Sequence, residues 1–226
     1  MVYRNKIAMM RLFFILLITA TANGQIIDSY RFQTSSSDIV YNFNWETYNT
    51  ATDSWTFDNG SVQDLNDGST NGRYNRWTGS TPTGGANIGP TSAQSGSYYV
   101  YTEASGSAAG QQFTATYDSI IDASTYSIKF EFYTNQNGDD NNATVELQTN
   151  ENSAGWVTRA TYGGSSDPTK TLDAEADVWT YRSVDLAGVV SNASTQIRLL
   201  VTLGTTGTIS DNDYGLDNWT LTLTAL

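Results

Sequence analysis

With no His and no Cys in 226 residues, the side chains left to do chemistry are carboxylates, hydroxyls, amides and aromatic rings. The missing types exclude the usual zinc, copper, haem and iron–sulfur ligand sets. They equally exclude Ser-His-Asp triads and cysteine nucleophiles. Among the carboxylates, Asp217 stands out by position. It falls in phase with Trp219, Leu221 and Leu223, so strict alternation turns it toward a packed face. A carboxylate there is costly unless a cation or several donors meet it. Asp139-Asp140 and Asp211-Asn212-Asp213 fit no EF-hand loop and read as solvated turns. Asp173, Glu175 and Asp177 are spaced by two, which on a strand would set a glycosidase-like carboxylate pair on one face. Their acidic, Ala-rich stretch sits between turn signals, so a solvated loop is the expected setting.

Aromatic rings offer a second chemistry. Tyr98, Val100 and Thr102 alternate with Tyr99, Tyr101 and Glu103. One set must face the core, and the other faces out or packs under a loop. An outward row of Tyr99 and Tyr101 beside Tyr74 and Trp77 would form a stacking platform for sugar rings. Aromatic faces pack against sugar C–H groups while nearby amides and carboxylates take the hydroxyls. The competing reading makes these rings core and ordinary β-surface, with Trp77 and Trp179 as core anchors. The Gly-rich stretch from Gly79 to Gly96 lacks any phosphate-loop pattern and reads as a plain loop.

The elements that must position these groups are strands. Arg4, Lys6 and Arg11, the apolar run from Leu12 to Ile18 and the small residues Ala20, Ala22 and Gly24 form a signal peptide over residues 1–24. The run is too short to span a bilayer. The formal charge is −12; the leader holds three of the 11 basic residues and no acid, so the mature chain stands at −15. That balance excludes nucleic acid, whose phosphates demand basic patches. Helical periodicity is nearly absent. Alternating runs recur at 39–45, 55–57, 97–103, 112–118, 126–133, 144–148, 155–161, 178–184, 197–203 and in the last residues, separated by polar turns. The pattern predicts an all-β chain folded as an antiparallel β-sandwich, in one domain over 25–226 with its core at about 40–224.

Three stretches in order resemble the MAM family, named from meprin, the A5 protein and receptor phosphatase mu. The first runs Trp77-Thr78-Gly79-Ser80-Thr81-Pro82, Gly89-Pro90-Thr91, then Ser95 to Ser105 with its Tyr98-Tyr99-Val100-Tyr101-Thr102-Glu103-Ala104-Ser105. The second is Tyr126 to Tyr133, and the third is Tyr214-Gly215-Leu216-Asp217-Asn218-Trp219. The resemblance implies a jelly-roll, concanavalin-like sandwich in an extracellular setting, and adhesion or recognition rather than catalysis. This chain departs from it in lacking the family's disulfide Cys, in carrying Ser92-Ala93-Gln94 where the family has Asp-His-Thr, and in Asn44 where an acid is usual. Jelly-roll binding domains often hold a structural calcium where the last strand meets the first. Asp217, Asp58, Asn44 and Glu46 are the candidate ligands here, for an ion that takes six to eight oxygens. The expected function is a secreted, non-catalytic recognition or adhesion module that binds an extracellular protein or cell-surface partner, self-association included. The alternative is a calcium-stabilised carbohydrate-binding module. Neither an enzyme, a nucleic-acid binder nor a membrane-inserted protein is expected.

Overall fold

Alternation of apolar and polar residues gives strands whose inner faces must find each other, and the chain satisfies this with two antiparallel sheets. The structure is a computed structural model that describes residues 38–46, 54–57, 74–82, 88–136, 143–164, 177–205 and 213–226. The leader, Asp58, Asp139, Asp140, Asp173, Glu175 and Asp211 lie outside the described residues. The strands are β1 (Asp38–Phe43), β2 (Trp55–Phe57), β3 (Tyr74–Trp77), β4 (Tyr99–Thr102), β5 (Gln112–Tyr117) and β6 (Tyr126–Gln136). They continue as β7 (Thr144–Glu151), β8 (Trp156–Gly163), β9 (Thr180–Asp185), β10 (Thr195–Thr202) and β11 (Tyr214–Ala225). The larger sheet runs β3-β4-β11-β6-β9 with β1 also on β11, and the smaller runs β2-β5-β10-β7-β8. This is the expected jelly-roll sandwich. No helix among the described residues is long and apolar enough to cross a membrane. Strand β3 is the one element absent from the sequence reading, because Tyr74-Asn75-Arg76-Trp77 shows no apolar alternation.

Between the sheets, Ile128, Phe130 and Phe132 of β6 meet Ile197, Leu199 and Val201 of β10 and Val145 and Leu147 of β7, all fully buried. Trp219 centres an aromatic cluster, edge-on to Trp45 at 4.9 Å and to Trp55 at 4.7 Å between ring centroids. Such rings bury large apolar areas, which is how a sandwich without disulfides is held.

Strand β11 is divided by a bulge. Its first residues, Tyr214 to Leu216, pair with β4; from Trp219 to Thr224 it pairs with β1. The register against β6 shifts between Asp217 and Thr220, and Asn218 sits at a φ of 47°. A bulge puts two residues opposite one and reverses the in–out phase beyond it. Leu216 and Trp219 therefore both face the core, while Asp217 and Thr220 both face outward. The expectation that Asp217 shares the face of Trp219 is corrected by this insertion. Asp217 is buried all the same, 1% exposed, because the 92–97 segment lies over it.

That segment belongs to a cover over the outer face of the larger sheet. A Cβ on Gly215 would lie 2.3 Å from Pro90 Cγ and 3.0 Å from the Trp179 ring. The cover thus rests directly on the bare backbone of β11. Gly215→Ala is expected to cost about 1–3 kcal/mol, the range for forcing extra carbon into a packed site. Chemical denaturation reads it as a lower midpoint at unchanged slope.

Candidate functional site

The cover decides which aromatic residues are available. Tyr99 and Tyr101 point to the outer face, yet both are fully buried beneath it. The Tyr99 hydroxyl donates to Gly79 O at 2.9 Å and Pro90 O at 3.1 Å, with the Trp179 ring edge-on at 5.7 Å. Tyr101 donates to Glu103 Oε2 at 3.3 Å. Burial, then the carboxylates around them, push both phenols far above the usual tyrosine range. Tyr74 faces the other way, into the core against Phe57 and Phe113. The expected stacking platform of Tyr74, Trp77, Tyr99 and Tyr101 is therefore not formed: three of its rings have no open face. Trp77 is half-buried with its indole N–H on Ser80 O at 2.6 Å and its edge to Tyr101. Trp77 and Trp179 belong to the cover rather than to the core.

Two acids expected in solvated turns prove structural. Asp213 is fully buried, and its Oδ1 accepts the Ala104 N–H at 2.9 Å. Asp177 ties the cover to the sheet, taking Thr91 N at 3.3 Å on one oxygen and Asn135 Nδ2 at 2.7 Å on the other.

The candidate metal ligands come together in part. Asp217 Oδ2 accepts the N–H groups of Gln94 at 2.9 Å and Ser95 at 3.4 Å, and Oδ1 accepts that of Asn218 at 2.7 Å. Glu46 Oε1 accepts Ser97 N at 2.7 Å and Tyr98 N at 2.8 Å, across Gly96, whose φ of 70° and missing Cβ make room for the carboxylate. Asn44 Oδ1 accepts the Glu46 N–H at 3.2 Å. Burial raises the Asp217 carboxyl to about 7 in spite of its three N–H donors, with the Glu46 charge adding to the rise. The near oxygens of both carboxylates are occupied by backbone donors, so a cation here would draw on the lone pairs those donors leave. Among the described residues, no group of three or more acidic side chains converges on one point.

Beyond the bulge the outer face is open. A groove of about 430 Å³ lies across β1, β11, β6 and β9, with Gln94 of the cover as one wall. Its aromatic part is Tyr133 and Tyr181, directly paired across β6 and β9 with ring centroids 5.4 Å apart. Tyr181 is 49% exposed. Its hydroxyl donates to Glu131 Oε1, which also takes Lys129 Nζ at 2.7 Å. Burial alone would raise the Glu131 carboxyl, but the hydrogen bonds from Lys129 and Tyr181 outweigh it and hold the group below the usual range. The bond to Glu131, then burial, raises the Tyr181 phenol. Glu131 thus stays ionised and Tyr181 stays protonated.

The rest of the lining is Phe43 and Trp219 together with the amides of Asn42, Asn44, Gln94 and Asn218 and the Thr220 hydroxyl. Thr220 Oγ1 donates to Asn42 Oδ1 at 3.0 Å, which leaves the Asn42 NH₂ group to donate. The bulge turns Asn218 toward the cover, where its Nδ2 reaches Gln94 Oε1 and Ser95 Oγ, the latter at 2.9 Å. Its Oδ1 is left to accept and the Gln94 NH₂ to donate. Donors and acceptors of uncharged type therefore surround two tyrosine rings, a set suited to groups that both donate and accept, such as sugar hydroxyls.

Sequence reasoning passed over these residues. One signal was present: with Ile128, Phe130 and Phe132 turned inward, Lys129, Glu131 and Tyr133 had to face out. What they would meet there depends on β1 and β9, which sequence alone does not bring alongside.

A scan against protein families finds no match, and a comparison with curated proteins finds none. Solved structures resemble the chain at low identity. A cleaved adhesin domain of Lys-gingipain from Porphyromonas gingivalis is 14% identical with a TM-score of 0.48, over 83% of this chain and 98% of that one. The CBM22-1 xylan-binding domain from Paenibacillus barcinonensis Xyn10C is 11% identical with a TM-score of 0.47, over 82% of this chain and 94% of that one. TmCBM61 in complex with beta-1,4-galactotriose is 14% identical with a TM-score of 0.37, over 66% of this chain and 80% of that one.

Proposed function

We propose that this chain is an extracellular, non-catalytic carbohydrate-binding module that holds a glycan in the groove over β1, β11, β6 and β9. The observation that carries the reading is the pair Tyr133 and Tyr181, open on the outer face and bordered by Asn42, Asn218, Gln94 and Glu131. Ring faces meet sugar C–H groups, and the amides meet hydroxyls. Glu131 is the one carboxylate in the lining among the described residues, and it is held ionised. Hydrolysis of a glycosidic bond would need a second carboxyl, protonated, at about 5–9 Å. Asp217, whose carboxyl is raised to about 7, is sealed under the 92–97 segment and does not line the groove, so non-catalytic binding is the reading that fits. The carbohydrate alternative thereby ranks above protein adhesion, since exposed rings stand in a concave groove with amide and hydroxyl groups placed around them. A MAM-like origin and secretion by the leader at 1–24 complete the proposal.

A glycan array probed with the mature chain, with and without calcium, is the test. Capture by one or more glycans, competed by the free sugar, is expected. A blank array together with self-association at micromolar concentration would return the adhesion reading to first place.

A further inference from the structure

The charges around the groove bear on which glycan it takes. Five basic side chains fall among the described residues: Arg76, Lys129, Arg159, Arg182 and Arg198. None lines the groove. Arg76 is buried on the inner face of β3, the face of Tyr74 and Val100, with its Nη2 on Glu46 O at 2.8 Å and its guanidinium over the Tyr98 ring. Arg182 faces the interior of the sandwich, bonded to Thr134 and set over Tyr162. Arg159 pairs with Glu151, and Arg198 bonds Gln148 and stacks on Trp156; all of these sit on the smaller sheet. Lys129 borders the groove but gives its ammonium to Glu131.

Recognition of a uronate or a sulfate relies on Arg or Lys aimed at the anion, most often a guanidinium fork. The groove instead presents an ionised carboxylate. Glu131 commits Oε1 to Lys129 and Tyr181, so its remaining acceptor capacity meets whatever lies on the two rings. An acidic sugar would meet the free oxygen of a carboxylate whose charge the Lys129 ammonium on Oε1 offsets only in part, and that like-charge contact in a partly desolvated cleft disfavours it. A neutral sugar supplies hydroxyl donors to the same oxygen. The whole chain, at a net −12, adds a repulsive long-range field toward polyanions.

We infer that the groove selects uncharged polysaccharide, and that Glu131 is its specificity-determining residue, accepting sugar hydroxyls while refusing carboxylated or sulfated rings. This rests on the glycan reading of the same groove.

The experiment is affinity electrophoresis of the mature chain through gels containing neutral polymers (xylan, galactan, mannan, mixed-linkage glucan) or acidic ones (polygalacturonate, alginate, heparin), at low and high salt. At least one neutral polymer is expected to retard the chain to the same extent at both salt levels. The acidic polymers are expected to leave its mobility unchanged. Glu131→Gln keeps an acceptor for Tyr181 while removing the charge. It is expected to shift the ratio of acidic to neutral affinity by about tenfold toward acidic, as one charge in a partly screened site would. Retardation by an acidic polymer that is lost in Tyr181→Ala would overturn the charge preference and leave glycan binding standing. An unchanged ratio in Glu131→Gln removes Glu131 from the role. Failure of every polymer to retard the wild type would sink the glycan reading itself and take this inference with it.

Discussion

Replacing Tyr133 and Tyr181 together by Ala is expected to weaken glycan binding by about 30-fold or more, while the protein stays folded. Aromatic anchors at the centre of a contact commonly lose about 2 kcal/mol or more on truncation, and about 1.4 kcal/mol is a factor of ten. The two rings form a registered cross-strand pair 5.4 Å apart on the outer face. Their removal therefore costs stability only on the scale of one such pair, about 0.2–1 kcal/mol. For a domain of this size that is a fall in Tm of a few degrees at most. Tyr181 has the more open ring, so Tyr181→Ala alone is expected to lose more affinity than Tyr133→Ala. Tyr181→Phe keeps the ring face and gives up the bond to Glu131, and should retain most of the binding. Titration calorimetry on whichever glycan the array identifies reads all four. If the double variant binds like the wild type, the groove is not the site.

The contrast between these tyrosines and the ones first singled out shows where sequence reading stops. The inward faces were legible: Phe130 and Phe132, Leu199 and Val201, and Trp219 and Leu221 all lie where alternation puts them. Period-two patterning reports a face that is buried by the opposite sheet, since every residue on it obeys one rule. It does not report what lies on the outer face. Tyr101 and Tyr133 are both outward on neighbouring parts of the larger sheet, yet one is sealed and the other open. The difference is made by Pro90, which rests on Gly215 from a loop far away in sequence. Strand β1, near the start of the described chain, and β11, at its end, form one side of the groove, and β9 forms the other. The bulge was hidden for a related reason. Asn218 tolerates its positive φ better than most residues, but nothing in Asp217-Asn218-Trp219-Thr220 announces that the strand will skip a beat there.

Asp217, buried at that bulge, makes stability depend on pH in an unusual direction. Its carboxyl is raised from 3.8 to about 7 in the folded chain. Between those values the folded state holds a proton that the unfolded state has released, so stability falls as pH rises through the window and levels off above about 7. At about 1.4 kcal/mol per unit, the loss across the window is up to about 4 kcal/mol. Glu131 and Glu151 are shifted the opposite way, below 4.5, so the stability they lend is lost only on acidification below that value. Among the described carboxylates, the span from about pH 5 to pH 8 therefore isolates Asp217. Thermal unfolding of the wild type is expected to show Tm falling by several degrees across it. Asp217→Asn removes the charge and keeps one acceptor oxygen, placed to serve the Gln94 and Ser95 N–H groups while that of Asn218 loses its partner. Its curve is expected to be nearly flat, meeting the wild type near pH 5 and exceeding it at pH 8. Parallel curves would show that the carboxylate is already well solvated by its three donors. Calcium enters the same measurement with a distinct signature, because a bound cation favours the ionised form and lowers the pKa. Millimolar calcium that raises the wild-type Tm at pH 8, flattens its slope and leaves Asp217→Asn untouched would establish a cation on the lone pairs that the backbone donors leave free. Curves that overlay with and without chelator would leave those three N–H groups as the whole of what meets this carboxylate.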